Sequence, residues 1–225
     1  MEGDFYLTRD GQIVTIHDKT TGRTANRDIS VPNSTLAELK QLDFGSWKSS
    51  QYRGERIPTL GEVLAVVRAG KKIFIEVKCG PEIVPRLRQV LAESGLDSQQ
   101  TVVIAFDQNV IAAVKKHLPR IKAFWLVGYR RDKKTGIWSP SPRQVLATLK
   151  SIKADGLDTQ DNRRIVNEAF VEKLRAANME FHVWTVDDAT AARYYQRLGV
   201  DSITTNRPRE MRAVLGKGAA RELQK

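Results

Sequence analysis

The stretch MEGDFYLTRDGQIVTIHDKTTGRTAN, residues 1–26, decides the fold prediction for this chain. Glu2 and Asp4 stand two positions apart in a short apolar run, and a Thr-Arg-Asp-Gly turn follows at Thr8–Gly11. Because residues i and i+2 of a strand point to one face, we expect these two carboxylates to converge. Paired carboxylate oxygens suit a hard divalent cation such as Mg²⁺ or Ca²⁺. The pattern predicts a metal-binding strand, although a solvated acidic pair has the same sequence.

The second half of this stretch places a histidine where a predicted strand ends and a loop begins. The β-rich run Ile13–Ile16 ends at His17 and Asp18, and a threonine-rich loop follows. An imidazole titrates near neutral pH, so a histidine at the end of a strand suits proton transfer beside a metal. His17 is therefore the candidate general acid or base. The alternative is that the His-Asp pair is ordinary loop polarity.

Beyond residue 58 the sequence alternates short apolar runs with longer amphipathic ones. Thr59 and Glu62 form a predicted capping box at the start of one helix, and Pro81 suits the first turn of another. Strands alternating with helices indicate right-handed βαβ units and a parallel sheet. The predicted strands of this part of the chain are residues 72–77, 101–106, 123–127, 155–158, 180–186 and 201–204.

The predicted fold class is α/β, a TIM (β/α)₈ barrel. With the strand of Glu2, about seven strands can be counted, where a closed barrel needs eight. An open doubly wound sheet is the alternative, but no Gly-x-Gly-x-x-Gly follows a strand. We expect a single domain over residues 1–216, with a cap insertion at about 19–58 and a frayed tail at 217–225.

A charged pair in the strand at residues 72–77 marks a second part of the candidate site. Glu76 interrupts a run of isoleucine, phenylalanine and valine, and Lys78 follows on the same face. A carboxylate in such a strand is costly unless it is paired or bound to a cation. In a barrel of parallel strands the active site lies at the strand C-termini. Glu76 is thus the functional residue that physical reasoning supports best.

Together these residues resemble a known family. The run from Glu2 to Thr24 resembles a conserved block of the glycerophosphodiester phosphodiesterase family. Further matching segments follow in the family's order: LAELKQLDFGSW (36–47), GERIPTLGEVL (54–64), IFIEVK (73–78), FHVWTVDD (181–188) and GVDSITTNRP (199–208). The resemblance covers nearly the whole chain. It implies a barrel with a small cap over its mouth.

The resemblance also implies a reaction and a set of roles. Glu2, Asp4 and Glu76 would hold a divalent metal, Mg²⁺ or Ca²⁺; Lys78 would neutralise a phosphate oxygen; and His17 would act in acid–base catalysis. The implied enzyme is a phosphoric diester hydrolase of glycerophospholipid metabolism. It would cleave a small-molecule glycerophosphodiester to glycerol 3-phosphate and an alcohol. Barrel phospholipases that act on a cyclic phosphate are a minor alternative.

Several other polar and aromatic residues have weaker predictions. Trp184 would press against the glycerol part of the substrate, whereas His182 is expected to be a hydrogen-bonded core residue. Asp158 follows a strand, and it either orients site groups or has a structural role. His117 is expected at the surface. Trp47 either lines the substrate pocket or packs within the cap.

The sequence departs from the family pattern at its start. Members of the family open with a His-Arg-Gly strand and a helix, whereas Met1 here stands directly before Glu2. We therefore expect a barrel without its first βα unit, with an unpaired edge at the strand of Glu2 and self-association through that edge. The alternative function is a catalytically impaired barrel fragment that binds phosphate without turnover.

Composition narrows the classes of partner and the cellular compartments that this protein is expected to have. The net charge of +11 suggests nucleic acid as a partner, but the basic residues are dispersed and no aromatic stripe accompanies them. A positive field that attracts a phosphorylated substrate is the preferred interpretation. No apolar run approaches the ~20 residues of a membrane span. The single Cys79 excludes an internal disulfide, which favours the cytoplasm, although a secretory leader could be lost with the missing N-terminus.

Overall fold

The computed structural model describes the backbone of residues 1–222 and the side chains of residues 1–216. The predicted frayed tail, residues 217–225, lies outside the residues whose side chains are described. The chain divides into two compact units, Met1–Ala123 and Phe124–Lys225, and each is described by itself.

The first unit opens with a β-hairpin. β1 (Glu2–Leu7) and β2 (Ile13–Thr15) pair antiparallel, with Phe5 opposite Thr15. The turn between them is closed by the amide of Gly11, which donates to the carbonyl of Thr8 at 3.0 Å. Gly11 has a φ of 73°, a conformation that glycine adopts without steric cost. The turn thus sends the chain back along β1 toward His17.

The predicted cap insertion follows the hairpin. It contains short 3₁₀ turns at Val31–Asn33 and Ser50–Tyr52, and the helix α1 (Leu36–Leu39), which begins with a capping box of Thr35 and Glu38. Its apolar side chains are buried together with those of the hairpin: Tyr6, Val14, Ile16, Val31, Leu39 and Ile57. This burial fixes the insertion on the hairpin.

The remainder of the first unit alternates helices and parallel strands. In chain order these are α2 (Leu60–Leu64), β3 (Ile73–Val77), α3 (Val84–Glu93), β4 (Thr101–Ala105) and α4 (Gln108–His117). β3 lies between β1 and β4 and is parallel to both. This order confirms the predicted βαβ pattern and brings β1 beside β3.

The strand of Glu2 does not have the unpaired edge that the sequence predicted. β1 pairs with β3 on one side and with β2 on the other, and the amide of Ile16 also donates to the carbonyl of Asp4. The outer side of β2 is itself partly covered, since the amide of Thr15 donates to the carbonyl of Pro58 at 2.9 Å. The prediction of an unpaired β1 was wrong because it did not foresee the hairpin.

The second unit repeats the alternation. Its elements are β5 (Lys122–Val127), β6 (Arg130–Arg131), β7 (Trp138–Ser139), α5 (Pro142–Ser151), β8 (Gly156–Gln160), α6 (Glu168–Ala176), β9 (Glu180–Trp184), α7 (Ala189–Arg197), β10 (Ser202–Ile203) and α8 (Pro208–Glu222). β5, β8, β9 and β10 are neighbours in that order, and all are parallel. β6 and β7 form a separate antiparallel hairpin in a segment for which no strand was predicted.

In the part of the chain that the structure describes, no helix combines the length and the apolar character that crossing a bilayer requires.

Candidate metal centre and active site

Three carboxylates meet where β1 and β3 lie side by side. Asp4 pairs in register with Glu76, and Glu2 lies two residues earlier on the same face as Asp4. Ligand oxygens of the three side chains all lie within 4.8 Å of one another. The sequence predicted this clustering from strand parity and strand order, and the geometry confirms it. The metal-binding role of the three residues remains a prediction.

Desolvation and neighbouring charge change the pKa values of Glu2 and Glu76. Partial desolvation, followed by the charges of Asp4 and Glu76, raises the pKa of Glu2 from 4.5 to about 7. Burial is also the main cause that raises the pKa of Glu76, while a hydrogen bond from Lys78 opposes it. The cluster therefore holds negative charge at a cost, which a bound cation would relieve.

Lys78 offsets part of the negative charge of the three carboxylates. Its ammonium Nζ lies 2.7 Å from Oε1 of Glu76 and 3.5 Å from Oδ1 of Asp4. Burial alone would lower the pKa of Lys78, but the hydrogen bond to Glu76 and the charges of both acids outweigh it and raise that pKa. Lys78 is thus a fixed cation at the edge of the cluster.

His17 follows β2 and is held by a chain of polar contacts. Its Nδ1 lies 2.7 Å from Oδ1 of Asp18, and Arg23 donates from Nε to Oδ2 of the same carboxylate at 2.6 Å. The hydrogen bonds from Arg23 and then from His17 lower the pKa of Asp18 to about 2, so Asp18 is an acceptor at neutral pH. Nδ1 must therefore carry the proton of this hydrogen bond, which leaves Nε2 for proton exchange.

The sequence prediction did not assign a role to Arg23. Arg23 stands in the run His-Asp-x-Thr-Thr-x-Arg, which the family resemblance already included. An arginine five residues after an acid that contacts a histidine is a signal that could have been used. Its planar guanidinium restrains the carboxylate that holds His17.

A cavity of about 320 Å³ lies beside the cluster in the first unit. Its lining includes Glu76, Lys78, Cys79, Phe106 and Asp107. Burial raises the pKa of the Cys79 thiol to about 11, so this side chain is a neutral thiol at physiological pH. A neutral thiol is a weaker nucleophile than a thiolate.

Two of the remaining candidate residues, Trp184 and His182, make contacts within the second unit. In the second unit Trp184 donates from its indole to the carbonyl of buried Asp158 at 3.3 Å. His182 is buried, stacks on Phe124 with ring centroids 4.3 Å apart, and lies 2.7 Å from Oγ of Ser202, as expected of a core histidine.

Two further predicted residues belong to the first unit. His117 is exposed at the end of α4, as expected. Trp47 is 55% exposed in the cap, and its indole donates to the carbonyl of Phe44; both alternatives for Trp47 stay predictions.

The donor set suits a hard divalent cation. Within the described residues, Glu2, Asp4 and Glu76 form the one group of three acidic, histidine or cysteine side chains whose ligand atoms converge. All three offer carboxylate oxygens, the ligands that Mg²⁺ and Ca²⁺ prefer. The raised pKa values of Glu2 and Glu76, caused first by desolvation and then by neighbouring negative charge, indicate a charge excess that such a cation would balance.

An α/β protein with a carboxylate cluster at its strands is the class that this geometry defines, and comparison with known proteins identifies the family. The sequence profile of the glycerophosphoryl diester phosphodiesterase family matches residues 1–210. A glycerophosphodiester phosphodiesterase of Caldanaerobacter subterraneus is 30% identical over 224 residues, which cover 97% of this chain and 86% of that protein. A glycerophosphodiester phosphodiesterase of Bacillus subtilis is 26% identical. The match covers 92% of this chain and 73% of that protein.

Solved structures give the same result. A phosphodiesterase of Oleispira antarctica, solved in complex with the product sn-glycerol-3-phosphate, matches with a TM-score of 0.81 and 25% identity, covering 96% of this chain and 84% of that one. The chain belongs to the glycerophosphoryl diester phosphodiesterase family, an enzyme family, and it has the TIM-barrel-like α/β fold that the sequence predicted.

Proposed function

We propose that this protein is a metal-dependent phosphoric diester hydrolase that cleaves glycerophosphodiesters to glycerol 3-phosphate and an alcohol. The observation that carries the proposal is the convergence of three carboxylates within 4.8 Å in a member of this family. Family membership favours an enzyme over a phosphate-binding fragment. The glycerol 3-phosphate bound to the Oleispira relative supports the same product here.

In this proposal Glu2, Asp4 and Glu76 hold the divalent metal, either Mg²⁺ or Ca²⁺. When bound, the cation supplies charge stabilisation to the phosphoryl oxygens. Lys78 adds a point charge that attracts the anionic phosphodiester, because its ammonium is fixed 2.7 Å from Glu76. The chain's net charge of +11 would favour the approach of an anionic substrate.

His17 is proposed to transfer a proton through its Nε2 during the reaction. Hydrolysis joins the oxygen of a water molecule to phosphorus and breaks the bond from phosphorus to the alcohol oxygen. The water gives up one proton, and the departing alkoxide must gain one. The side chain of His17 is more than half exposed and is held through Nδ1 by Asp18, so Nε2 can reach a substrate from solvent. General acid–base catalysis of this kind contributes roughly 10²–10⁴-fold.

The remaining predictions are also made as proposals. Trp184 is proposed as a substrate-binding residue, supported by its half-buried indole at the end of β9. Residues 1–216 are proposed to form one phosphodiesterase domain, with about 19–58 as its cap. A role in glycerophospholipid metabolism in the cytoplasm follows from the proposed substrate and the single cysteine.

Identification of the products tests the proposal. Glycerophosphocholine is incubated with the purified protein and a divalent cation, and the products are separated. We expect glycerol 3-phosphate and choline. Release of phosphocholine and glycerol would place the cleavage on the other side of phosphorus and contradict the proposed reaction.

A further inference from the structure

The second unit carries a rigid basic hairpin, here defined as residues Arg130–Ser139. β6 and β7 pair antiparallel, with Arg131 opposite Trp138. The turn is closed by the amide of Asp132, which donates to the carbonyl of Ile137 at 2.8 Å. The Asp132 carboxylate accepts hydrogen bonds from the amides of Lys134 and Thr135. The hairpin is therefore an ordered projection, even though its sequence resembles a loop.

The basic hairpin concentrates positive charge. Arg130, Arg131, Lys133 and Lys134 are all exposed, and Asp132 is the one acid among them, so the segment has a net charge of +3. Arg131 is held by its own turn, since its Nε donates to the carbonyl of Gly136 at 3.1 Å. Among the described residues, no ion pair with a carboxylate is found for these four cations. Their charge is available to a partner.

A second basic loop lies at the same end of the strands. β5 and β8 are adjacent and parallel, and Val127 pairs with Thr159, so the segments that follow them emerge side by side. Arg163 and Arg164, both exposed, stand in the loop after β8. The buried Tyr129 links the two segments.

The link consists of two hydrogen bonds at the base of the hairpin. The amide of Tyr129 donates to Oε1 of Gln160 at 3.2 Å, and Oγ1 of Thr159 donates to the Tyr129 hydroxyl at 2.9 Å. Thr159 and Tyr129 are both buried. The four cations of the basic hairpin and the two arginines Arg163 and Arg164 therefore lie on two segments that are hydrogen-bonded to each other.

Apolar side chains accompany this charge. Ile137 is 66% exposed on the basic hairpin, and the half-buried Trp138 follows it. An exposed aliphatic residue next to an indole, surrounded by lysine and arginine, is the composition of segments that lie at a membrane interface. Nucleic-acid bases stack on aromatic rings, and an isoleucine adds nothing to such binding. The combination favours a lipid surface over nucleic acid.

We propose that the basic hairpin, with Arg163 and Arg164, is a docking surface for an anionic phospholipid bilayer. The lysines and arginines contact the anionic headgroups, and Ile137 inserts at the boundary between headgroups and acyl chains. Charge complementarity supplies the attraction, since clusters of four to eight basic residues bind anionic leaflets in this way. Docking of this kind needs no membrane-spanning helix and is reversible.

Vesicle binding of the full chain tests the proposal. Vesicles of equal parts phosphatidylglycerol and phosphatidylcholine are sedimented with the protein, and pure phosphatidylcholine vesicles serve as the uncharged comparison. We expect binding to the anionic vesicles only. Lys133→Gln combined with Lys134→Gln should weaken that binding roughly thirtyfold, as expected for two basic residues near a charged surface. Lys71→Gln combined with Lys72→Gln, which changes the net charge equally at exposed sites of the first unit, should weaken it far less.

A neutral substitution separates insertion from simple attraction. Ile137→Ser should weaken vesicle binding severalfold at unchanged charge, whereas Val66→Ser, at a valine that is also 66% exposed, should not. Thermal melting of each variant establishes that it is folded. Equal binding to both vesicle types, or equal loss in the hairpin and control variants, would overturn the proposal. So would binding to a DNA duplex that exceeds vesicle binding and does not respond to Ile137→Ser.

Discussion

The ammonium of Lys78, the residue that directly follows β3, lies 2.7 Å from Oε1 of Glu76 within that strand. This contact and the 3.5 Å contact with Oδ1 of Asp4 offset part of the negative charge of both acids. Glu2 forms no ion pair among the described contacts, and its pKa is raised to about 7, first by partial desolvation and then by the charges of Asp4 and Glu76. Desolvation and neighbouring negative charge therefore both disfavour the ionised form of Glu2.

Removing the Lys78 charge should destabilise the metal-free protein. Lys78→Met leaves the partly buried Glu76 without its hydrogen-bonded cation, and breaking such a pair costs more than the pair contributes. We expect a lower melting temperature for Lys78→Met, and a higher KM for the phosphodiester. Lys78→Arg keeps the charge and is the control. Equal melting curves for wild type and Lys78→Met would show that the ion pair has no energetic role.

The raised pKa of Glu2 predicts a pH dependence of stability. The folded protein keeps the Glu2 proton to about pH 7, whereas the unfolded chain releases it near 4.5. Folding therefore binds protons in this window, so the contribution of Glu2 is fully present below about pH 4.5 and is lost as pH rises to about 7. Melting in the presence of a chelator should show this decline. Glu2→Gln should flatten it, and an unchanged slope would contradict the proposed crowding.

A divalent cation should stabilise the folded state by mass action. Binding to the folded state alone adds about 2.7 kcal/mol when the cation concentration is a hundred times Kd. Mg²⁺ or Ca²⁺ should therefore raise the melting temperature of the wild type. Asp4→Asn should abolish the shift, while Glu55→Gln, at an exposed acid in the cap, should retain it. A shift that survives Asp4→Asn unchanged would place the cation elsewhere.

The contact between His17 and Asp18 predicts a positioning role for Asp18. His17→Ala should lower kcat by roughly 10²–10⁴-fold. Asp18→Asn should lower kcat by a smaller factor and leave KM unchanged, because it disturbs the imidazole and not the substrate contacts. In the His17→Ala background, Asp18→Asn should have no further effect on kcat. Additive losses would show that Asp18 acts independently of His17.

Much of the fold could be predicted from local sequence. The capping boxes at Thr35 and Thr59 both form, because each threonine hydroxyl accepts from the third helical amide while the glutamate there accepts from the amide of the capping threonine. Strand parity placed Glu2 and Asp4 on one face for the same local reason. Such features depend on residues a few positions apart.

The features that the prediction missed depend on distant partners or on loop geometry. The basic hairpin has no apolar alternation, and its order comes from the hydrogen bonds of Asp132 within the turn. The hairpin of β1 and β2 turned the expected edge into a paired strand. The link from Arg23 through Asp18 to His17 requires a loop conformation that composition does not specify.

The rate of glycerol 3-phosphate release by metal-stripped protein tests the central claim most directly. With glycerophosphocholine as substrate, we expect turnover only after Mg²⁺ or Ca²⁺ is restored, and loss of turnover when a chelator is added. Glu76→Gln should reduce the restored rate by at least about 10²-fold, because three ligands become two, while Glu55→Gln should keep it. Turnover by the stripped wild type in excess chelator, undiminished in Glu76→Gln, would contradict the account.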